Sequence, residues 1–229
     1  MLLYIIRHGD PIYDPDSITE LGKLQAAALA KRLARKGIDR IYSSPKIRAQ
    51  QTAEPTSILT KKEVLIEEWT SEDLAFRDFS EKIDDHYRWI FQSRKKLLRA
   101  SVQELGEKWY EAECFKNAYC KRGYDRIADA SDKFLEKLGY LHDREKCCYY
   151  GKNPNSESVA VFCHAGFGMS WIGALLDIPL PIIWANTDID TTGVTVIKFT
   201  CDDEGVCIPQ MLTFSNDAHL YKEDLPIRF

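Results

Sequence analysis

Two histidines, two arginines and a carboxylate lie where short apolar runs end. Arg7 and His8 follow the run LLYII, and His164 follows SVAVFC. Arg48 lies in the first turn of a predicted helix after IYSSP, and Glu68 follows the run VLIE. Because the carboxyl ends of parallel strands meet at one edge of a sheet, we expect these five side chains to lie close together.

This set of side chains suits the transfer of a phosphoryl group. Guanidinium groups stay charged and match phosphate oxygens in pairs. A neutral histidine can attack phosphorus to form a covalent intermediate, and a second, protonated histidine can stabilise charge on the transferring group. A carboxylic acid can protonate the leaving oxygen and then accept a proton from water. The helix start AGFG after His164 adds backbone N–H donors for the anion.

Short apolar runs and amphipathic segments alternate along the first 70 residues. The runs LLYIIR, IDRIYSSP and EVLIEEW predict strands, and the segments between them predict helices, the second of which is interrupted near Pro55. This order predicts an α/β fold, a three-layer α/β/α structure with a mostly parallel central sheet. From Ser71 to Gly139 we find helix signals only. We therefore predict one domain over residues 1–229, with a helical insertion over 71–157 that caps the carboxyl edge of the sheet.

The totals exclude several classes of protein. The 229 residues are 45% hydrophobic and 29% charged, which is typical of a soluble globular protein. A net charge of -4 argues against a nucleic-acid partner. The apolar start is too short for a signal peptide, and no uncharged run is long enough to span a membrane, so we expect a cytoplasmic protein without a membrane partner. The seven cysteines form no C-x-x-C pair, which argues against zinc and predicts free thiols.

Four segments in this order resemble motifs of the histidine phosphatase superfamily, also called the phosphoglycerate mutase-like family. RHG ends the first strand, and TELGKLQA resembles LT-x-x-G-x-x-QA. YSSPKIRAQQTA resembles SSPLxRAxQTA, and VFCHAGF resembles VSHGG with Ala165 in place of the first glycine. RHG alone is a weak signal, whereas the four together are a strong one. They cover the first 70 residues or so and the stretch around 157–200, and leave the middle of the chain without a motif.

The resemblance implies a role for each matched residue. His8 is the phosphorylated nucleophile, Arg7 and Arg48 bind the phosphate, and His164 completes the pocket with Ala165 beside it. The implied activity is hydrolysis of a small phosphomonoester by a metal-independent phosphatase that needs no cofactor. The implied ligands are that substrate and a phosphate or sulfate ion in the pocket.

The acid is the least defined member of the site. The register Ile66-Glu67-Glu68-Trp69 fits the family pattern best and favours Glu68, while Glu67 and Glu72 stay open as alternatives. Successive residues of a strand point to opposite faces, so only one of Glu67 and Glu68 can serve.

Two other functions compete with hydrolysis. One is a phosphoglycerate mutase-type phosphotransferase, which the lack of a Pro-rich PPP-like run in the insertion argues against. The other is a catalytically weak, phosphate-binding regulatory module. Its support is the acidic loop after RHG, where Asp10-Pro11 and then Asp14 or Asp16 replace the usual polar residues. Acidic groups close to a phosphate weaken its binding unless they contact a cationic part of the substrate.

The remaining polar and aromatic features have structural interpretations. We predict that His86 and His142 lie on the surface and that His219 makes a structural hydrogen bond near the sheet edge. The basic stretch SRKKLLRA predicts a solvated helix face, or a contact to a second phosphate or carboxylate (Arg94, Lys95, Lys96, Arg99). The segment PLPIIWANTDID, with Trp184, is either the interface of a homodimer or a loop over the core.

Overall fold

The computed structural model describes residues 1–92 and 95–227. Its strands, in chain order, are β1 (Leu2–Arg7), β2 (Pro11–Tyr13), β3 (Asp16–Ile18), β4 (Arg40–Ser43), β5 (Val64–Ile66), β6 (Ser80–Ile83), β7 (His86–Trp89), β8 (Tyr140–Asp143), β9 (Cys148–Gly151), β10 (Ser158–Cys163), β11 (Val194–Lys198), β12 (Val206–Cys207) and β13 (Gln210–Asn216). Its helices are α1 (Glu20–Lys36), α2 (Ile47–Thr60), α3 (Glu72–Phe79), α4 (Lys95–Leu105), α5 (Cys120–Lys137), α6 (Ala165–Leu175), α7 (Leu180–Asn186) and α8 (Ala218–Lys222).

The central sheet has six strands in the order β13-β11-β1-β10-β4-β5. The pairs β1–β10, β10–β4 and β4–β5 are parallel, whereas β11 runs antiparallel to β1 and to β13. The sheet is therefore mostly parallel, and the predicted α/β fold class is confirmed.

Helices cover both faces of this sheet, as its burial pattern requires. In β1, Leu3 and Ile5 belong to one apolar cluster, which includes residues of α5 and α6. Tyr4 and Ile6 belong to a second cluster, which includes residues of α1 and α2. A strand that is buried on both faces is a nearly continuous apolar run, because every side chain enters a core. The run LLYII has this property.

The carboxyl ends of the inner strands meet at one edge of the sheet. Arg7 pairs with Cys163, and Ser43 lies beside both Phe162 and Ile66. The residues that follow these strands are therefore brought together, as the sequence predicts. This edge carries the candidate site.

Two helices adjoin this edge from one side of the sheet. Thr19 caps α1, its side-chain oxygen accepting a hydrogen bond of 3.0 Å from the backbone N–H of Gly22. Helix α2 places Arg48 in its first turn. The prediction that α2 is interrupted near Pro55 is wrong. The helix runs through Pro55, which removes one N–H donor from the helix interior without ending it.

The insertion between β5 and β10 is not entirely helical. Besides α3, α4 and α5 it contains the hairpins β6–β7 and β8–β9. The residues from 80 to 89, where the sequence shows helix signals only, form the first hairpin. Asp84 and Asp85 both have positive φ, of 46° and 65°, and a two-residue turn of this kind matches the twist of antiparallel strands. The division into one domain with a cap over residues 71–157 stays a prediction.

Trp184 belongs to the core, but its segment forms a helix and not the loop that one of the two predicted interpretations has. It lies in α7 with 1% of its surface exposed, and its indole N–H donates to Ser170 Oγ at 3.1 Å. No helix in the described part of the chain is long and apolar enough to cross a membrane. The homodimer and the cytoplasmic location stay predictions.

The prediction that His142 lies on the surface is wrong. Its buried ring stacks on Tyr149 at 3.9 Å, and its two nitrogens lie 2.9 Å from Asp132 and from Asp177. Arg144 also bonds both carboxylates. This cluster ties α5 and β8 to the end of α6. Burial lowers the pKa of His142, but its hydrogen bonds to the two carboxylates outweigh burial and raise that pKa above 6.5.

We expect His142→Ala to lower the free energy of unfolding by about 2 kcal/mol at pH 5.5, because two charged hydrogen bonds are lost. A raised pKa in the folded state contributes stability below the unfolded value, and this contribution is lost as the pH rises through the folded value. The loss caused by the substitution should therefore be smaller at pH 9. Urea denaturation at both pH values measures the loss in free energy of unfolding. The control is His86→Ala, which replaces an exposed histidine. An equal loss at both pH values would contradict the charged state of His142.

Candidate active site

His8 follows β1 and is held in one orientation. It is 3% exposed, and its Nδ1 lies 2.7 Å from the carbonyl oxygen of Gly9. A carbonyl oxygen can only accept, so Nδ1 carries the proton and donates it to Gly9. The free electron pair of the ring is then on Nε2. The backbone N–H of Gly9 donates to Thr52 Oγ1 at 2.9 Å, which fixes the loop after β1 against α2.

Two arginines flank this histidine. Arg7 Nη1 donates to the carbonyl of Ile189 at 2.5 Å, and Arg48 Nη1 forms an ion pair of 2.5 Å with Asp16. The Nε atoms of both arginines are buried and have no hydrogen-bond partner among residues 1–92 and 95–227. Buried guanidinium donors without partners beside a histidine are suited to bind an anion.

His164 lies behind His8, directly after β10. It is fully buried, the centres of the two rings are 5.2 Å apart, and its Nε2 lies 2.7 Å from Ser44 Oγ. Its Nδ1 is buried and makes no hydrogen bond within the described chain. The structure therefore brings His8, His164, Arg7 and Arg48 close together, as the sequence predicts.

Burial favours the neutral form of both histidines. Burial lowers the pKa of His8 to about 3, against the hydrogen bond to Gly9, and the charges of Arg7 and Arg48 lower it further. Burial also lowers the pKa of His164 well below its usual range. Neutral His8 suits a nucleophile, whereas His164 was expected to be protonated. A phosphate dianion beside His164 would raise its pKa and favour that charge.

The placement of Glu68 in the site needs correction. Strand β5 ends at Ile66, and Glu68 is exposed in a short 3₁₀ turn outside the cavity beside His8. Glu67 accepts a hydrogen bond of 2.8 Å from the indole N–H of Trp69. Among the three carboxylates that the sequence left open, Glu72 is the one that lines the cavity. The chain leaves the sheet before Glu68, so the strand register does not position the acid.

Glu72 is held by the start of α6. Its two carboxylate oxygens accept hydrogen bonds from the N–H groups of Gly166, at 3.1 Å, and Phe167, at 2.8 Å. The sequence predicts that the N–H groups at the start of this helix bind the anion. In the structure, the N–H groups of Gly166 and Phe167 bind Glu72 instead. Ala165, the first residue of α6, lines the cavity. Burial raises the pKa of Glu72 although these hydrogen bonds and the charges of Arg48 and Arg7 oppose the change.

The acidic loop after RHG forms the hairpin β2–β3. Asp10 accepts a hydrogen bond of 2.7 Å from the Thr19 hydroxyl and does not line the cavity. Asp14 is exposed, whereas Asp16 binds Arg48 and also accepts the N–H of Ile47 at 2.8 Å. One acidic side chain of this loop therefore reaches the candidate phosphate site, and it contacts an arginine there.

His219 supports the end of β1 from behind. Its Nε2 lies 3.0 Å from Thr192 Oγ1, and the N–H of Thr192 lies 3.1 Å and 3.2 Å from the carbonyl oxygens of Arg7 and His8. This is the structural hydrogen bond near the sheet edge that the sequence predicts.

The cavity has a volume of about 610 Å³. It is lined by Arg7, His8, Tyr13, Arg48, Glu72, Asp73, Phe76, Trp89, Phe91, Gln92, Lys95, Ala165, Gly166, Met169, Trp184, Thr187 and Asp188. Of the predicted basic helix face, Lys95 lines the cavity, Lys96 is exposed, and Arg99 donates to Asn186. Arg94 lies outside the described residues. Across the described ranges, no group of three or more His, Cys, Asp or Glu side chains is placed to hold a metal ion.

Several residues that hold the site had no predicted role. Ser44 and Thr52 lie inside the segment YSSPKIRAQQTA, and Gln25 inside TELGKLQA. Gln25 accepts the N–H of Asp10 at 2.8 Å and donates to Thr191 at 3.1 Å. Only their positions within the matched motifs indicated that Ser44, Thr52 and Gln25 belong to the site. The indication for Glu72 was weaker, because it rests on an acidic residue in the first turn of a helix that follows a strand.

The chain was compared with families of known proteins. Residues 3–114 match the family model of the histidine phosphatase superfamily (branch 1). Over these residues, just under half of the chain, the protein is similar to the histidine phosphatase superfamily. This match agrees with the resemblance that the four motifs indicate.

The similar proteins are distant. "Putative phosphoserine phosphatase 2" of Hydrogenobacter thermophilus is 23% identical over 204 residues, which are 85% of this chain and 88% of that protein. Two solved structures share the fold of this chain. A phosphoserine phosphatase of Entamoeba histolytica in complex with phosphoserine has a TM-score of 0.61 and 20% identity, over 96% of this chain and 98% of that one. A mycobacterial glucosyl-3-phosphoglycerate phosphatase with VO3 has a TM-score of 0.60 and 20% identity, over 93% and 98%.

Proposed function

We propose that this protein is a phosphatase that hydrolyses a small phosphomonoester through a covalent phosphohistidine at His8, without a metal ion or other cofactor. The observation that carries the proposal is the hydrogen bond of 2.7 Å between His8 Nδ1 and the carbonyl of Gly9. It leaves Nε2 as a neutral nucleophile beside Arg7 and Arg48, whose charges would balance those of a phosphate dianion. The phosphatases among the similar proteins support the same class of reaction.

In the first half of the proposed reaction, His8 Nε2 attacks phosphorus and the bond to the leaving oxygen breaks. Glu72 gives its proton to that oxygen, and its raised pKa suits it to this task. In the second half, a water oxygen attacks the phosphoryl group while the Glu72 carboxylate accepts the water proton. The phosphorus–nitrogen bond then breaks, which restores neutral His8 and releases inorganic phosphate.

Arg7, Arg48 and His164 would stabilise the charge on the transferring group. The unpartnered Nε atoms of the two arginines and Nδ1 of His164 are donors that the phosphoryl oxygens could accept from. Ala165 at the start of α6 would complete the phosphate pocket. A phosphate or sulfate ion would bind at the same place.

The test is hydrolysis of a panel of phosphomonoesters in the presence of EDTA, together with an alkaline quench that preserves phosphohistidine. We expect turnover that EDTA does not reduce and a phosphoenzyme whose label lies on His8. Strong inhibition by EDTA that an added divalent cation reverses would overturn the metal-free mechanism. Turnover without a labelled histidine would overturn the covalent route.

The same experiment separates the two alternative functions. A phosphoenzyme that passes its phosphoryl group to a second hydroxyl compound faster than to water would favour the mutase-type reaction. Phosphate binding without any turnover would favour the regulatory module.

A further inference from the structure

Four aromatic side chains form a continuous row along one wall of the cavity. Phe76 meets Trp89 edge-on, with ring centres 5.0 Å apart and an angle of 77°. Trp89 stacks on Phe91 at 4.9 Å and 27°, and Phe91 lies 5.7 Å from Trp184 at 35°. All four residues line the cavity, and the first three come from the insertion that no motif covers. The row has contacts within itself, and Phe76, Trp89 and Phe91 are half-buried, whereas Trp184 is almost fully buried.

The row lies next to the group that would protonate the leaving oxygen. Gly166 donates its N–H to Glu72, and a Cβ placed on Gly166 would lie 2.6 Å from the Trp89 ring atom Cη2. The Trp89 ring therefore packs directly on the residue that holds Glu72. In the proposed reaction the leaving oxygen must lie beside Glu72, so the rest of the leaving group would extend along Trp89.

The charges on this side of the cavity argue against an anionic leaving group. Within the described lining residues, the arginines are those assigned to the phosphate, which leaves Lys95 as the remaining cation. It is exposed, and two carboxylates, Asp73 and Asp188, line the same cavity. Asp73 also forms an ion pair of 2.5 Å with Lys46, so Lys46 already has an anionic partner. Because Asp73 and Lys46 balance each other, the described lining offers a carboxylate or second phosphate on the leaving group no excess of positive charge beyond Lys95, which shares the cavity with Asp188.

We infer that the substrate is a phosphomonoester whose leaving group carries an aromatic ring, which packs against Trp89 and its neighbours in the row. The inference rests on the proposed phosphatase function and names the substrate class of the same site. Trp89 is the specificity-determining residue, because it joins the row to the position of the leaving oxygen. Aromatic rings pack favourably in offset or edge-on contacts of the kind that this row already shows.

The experiment compares 3-phenylpropyl phosphate with n-propyl phosphate and with O-phosphoserine. All three release a primary alkoxide, so differences in kcat/KM report the rest of the leaving group more than its acidity. Burial of a phenyl ring of this size predicts a kcat/KM about 10- to 100-fold higher for 3-phenylpropyl phosphate than for n-propyl phosphate. O-phosphoserine, which bears a carboxylate, should be no better than n-propyl phosphate.

Variants of the hairpin β6–β7 locate the effect. Trp89→Ala should reduce the preference for the phenyl ester to less than about threefold, and Trp89→Phe should keep most of it. The matched control is Tyr87→Ala, because Tyr87 is 63% exposed on the same strand and does not line the cavity. It should keep the wild-type preference.

The outcomes distinguish the inference from the function on which it rests. Equal kcat/KM for the phenyl and propyl esters, or a preference for O-phosphoserine, would overturn the inference while the phosphatase function stands. An unchanged preference in Trp89→Ala would also overturn it. If no ester is hydrolysed by the wild-type protein, both the proposed function and the inference fail. The comparison within the wild type decides the question even if Trp89→Ala does not fold.

Discussion

His8→Ala is expected to lower kcat/KM for phosphomonoester hydrolysis by about 10⁴-fold or more, because the covalent route has no other nucleophile. His164 is not expected to take over this role, because its Nε2 lies at Ser44 and its Nδ1 is proposed to donate to the phosphoryl oxygens. Binding of inorganic phosphate should be largely kept, since Arg7 and Arg48 are unchanged. Steady-state kinetics and calorimetric titration with phosphate measure the two effects separately.

The control for this variant is His86→Ala, which removes an exposed histidine. It should keep wild-type kinetics, so that a loss in His8→Ala cannot be ascribed to any histidine substitution. Circular dichroism of both variants checks the fold. Hydrolysis by folded His8→Ala within tenfold of the wild-type rate would rule out phosphohistidine chemistry at this position.

Glu72→Gln is expected to lower kcat for alkyl phosphates by about 10²- to 10³-fold, the usual range for loss of a general acid. Alkyl phosphates are affected because glutamine cannot supply the proton that Glu72, with its raised pKa, can hold for the leaving oxygen. The loss should be much smaller for phosphorylation of His8 by p-nitrophenyl phosphate, because its leaving group departs without a proton. Burst kinetics separate the phosphorylation step from hydrolysis of the phosphoenzyme, where the same residue is expected to act as the base.

The matched control is Glu68→Gln, the same change four residues earlier on an exposed side chain. It should leave both steps unaltered. Because glutamine also loses one acceptor for the N–H groups of Gly166 and Phe167, thermal unfolding of Glu72→Gln should be recorded alongside. A larger loss in Glu68→Gln or in Glu67→Gln than in Glu72→Gln would assign the acid to the other residue.

The parts of the site that strands position could be predicted from the sequence. His8 and His164 each follow a run that is buried on both faces of the sheet, and such runs are recognisable as short apolar stretches. Parallel pairing then brings their ends together without any knowledge of the side chains between them. Arg48 could be placed in the same way, because α2 begins shortly after the end of β4.

The side chains that follow the point where the chain leaves the sheet could not be predicted in this way. Glu67, Glu68 and Glu72 all follow β5, and the direction of each depends on a 3₁₀ turn and on the start of α3 rather than on strand alternation. In the hairpin around Asp84 and Asp85, the apolar residues are spaced along the sequence in a way that also fits one face of a helix. Backbone angles at these two residues decide between the two structures, and composition does not reveal them.

His142 shows a third reason for failure, which is distance along the chain. Its surroundings in the sequence are polar and typical of a loop. Its partners Asp132 and Asp177 lie 10 and 35 residues away and become neighbours only after α5 and α6 have packed. Pairing of this kind has no local signal.

The ion pair between Asp16 and Arg48 places an anion next to the proposed phosphate site. A phosphate on the unpartnered Nε of Arg48 would share the guanidinium group with Asp16 on Nη1, and the two negative charges would weaken each other's binding. The same repulsion would act on inorganic phosphate after hydrolysis and favour its release. In the proposed reaction, the acidic loop would therefore weaken product inhibition along with substrate binding.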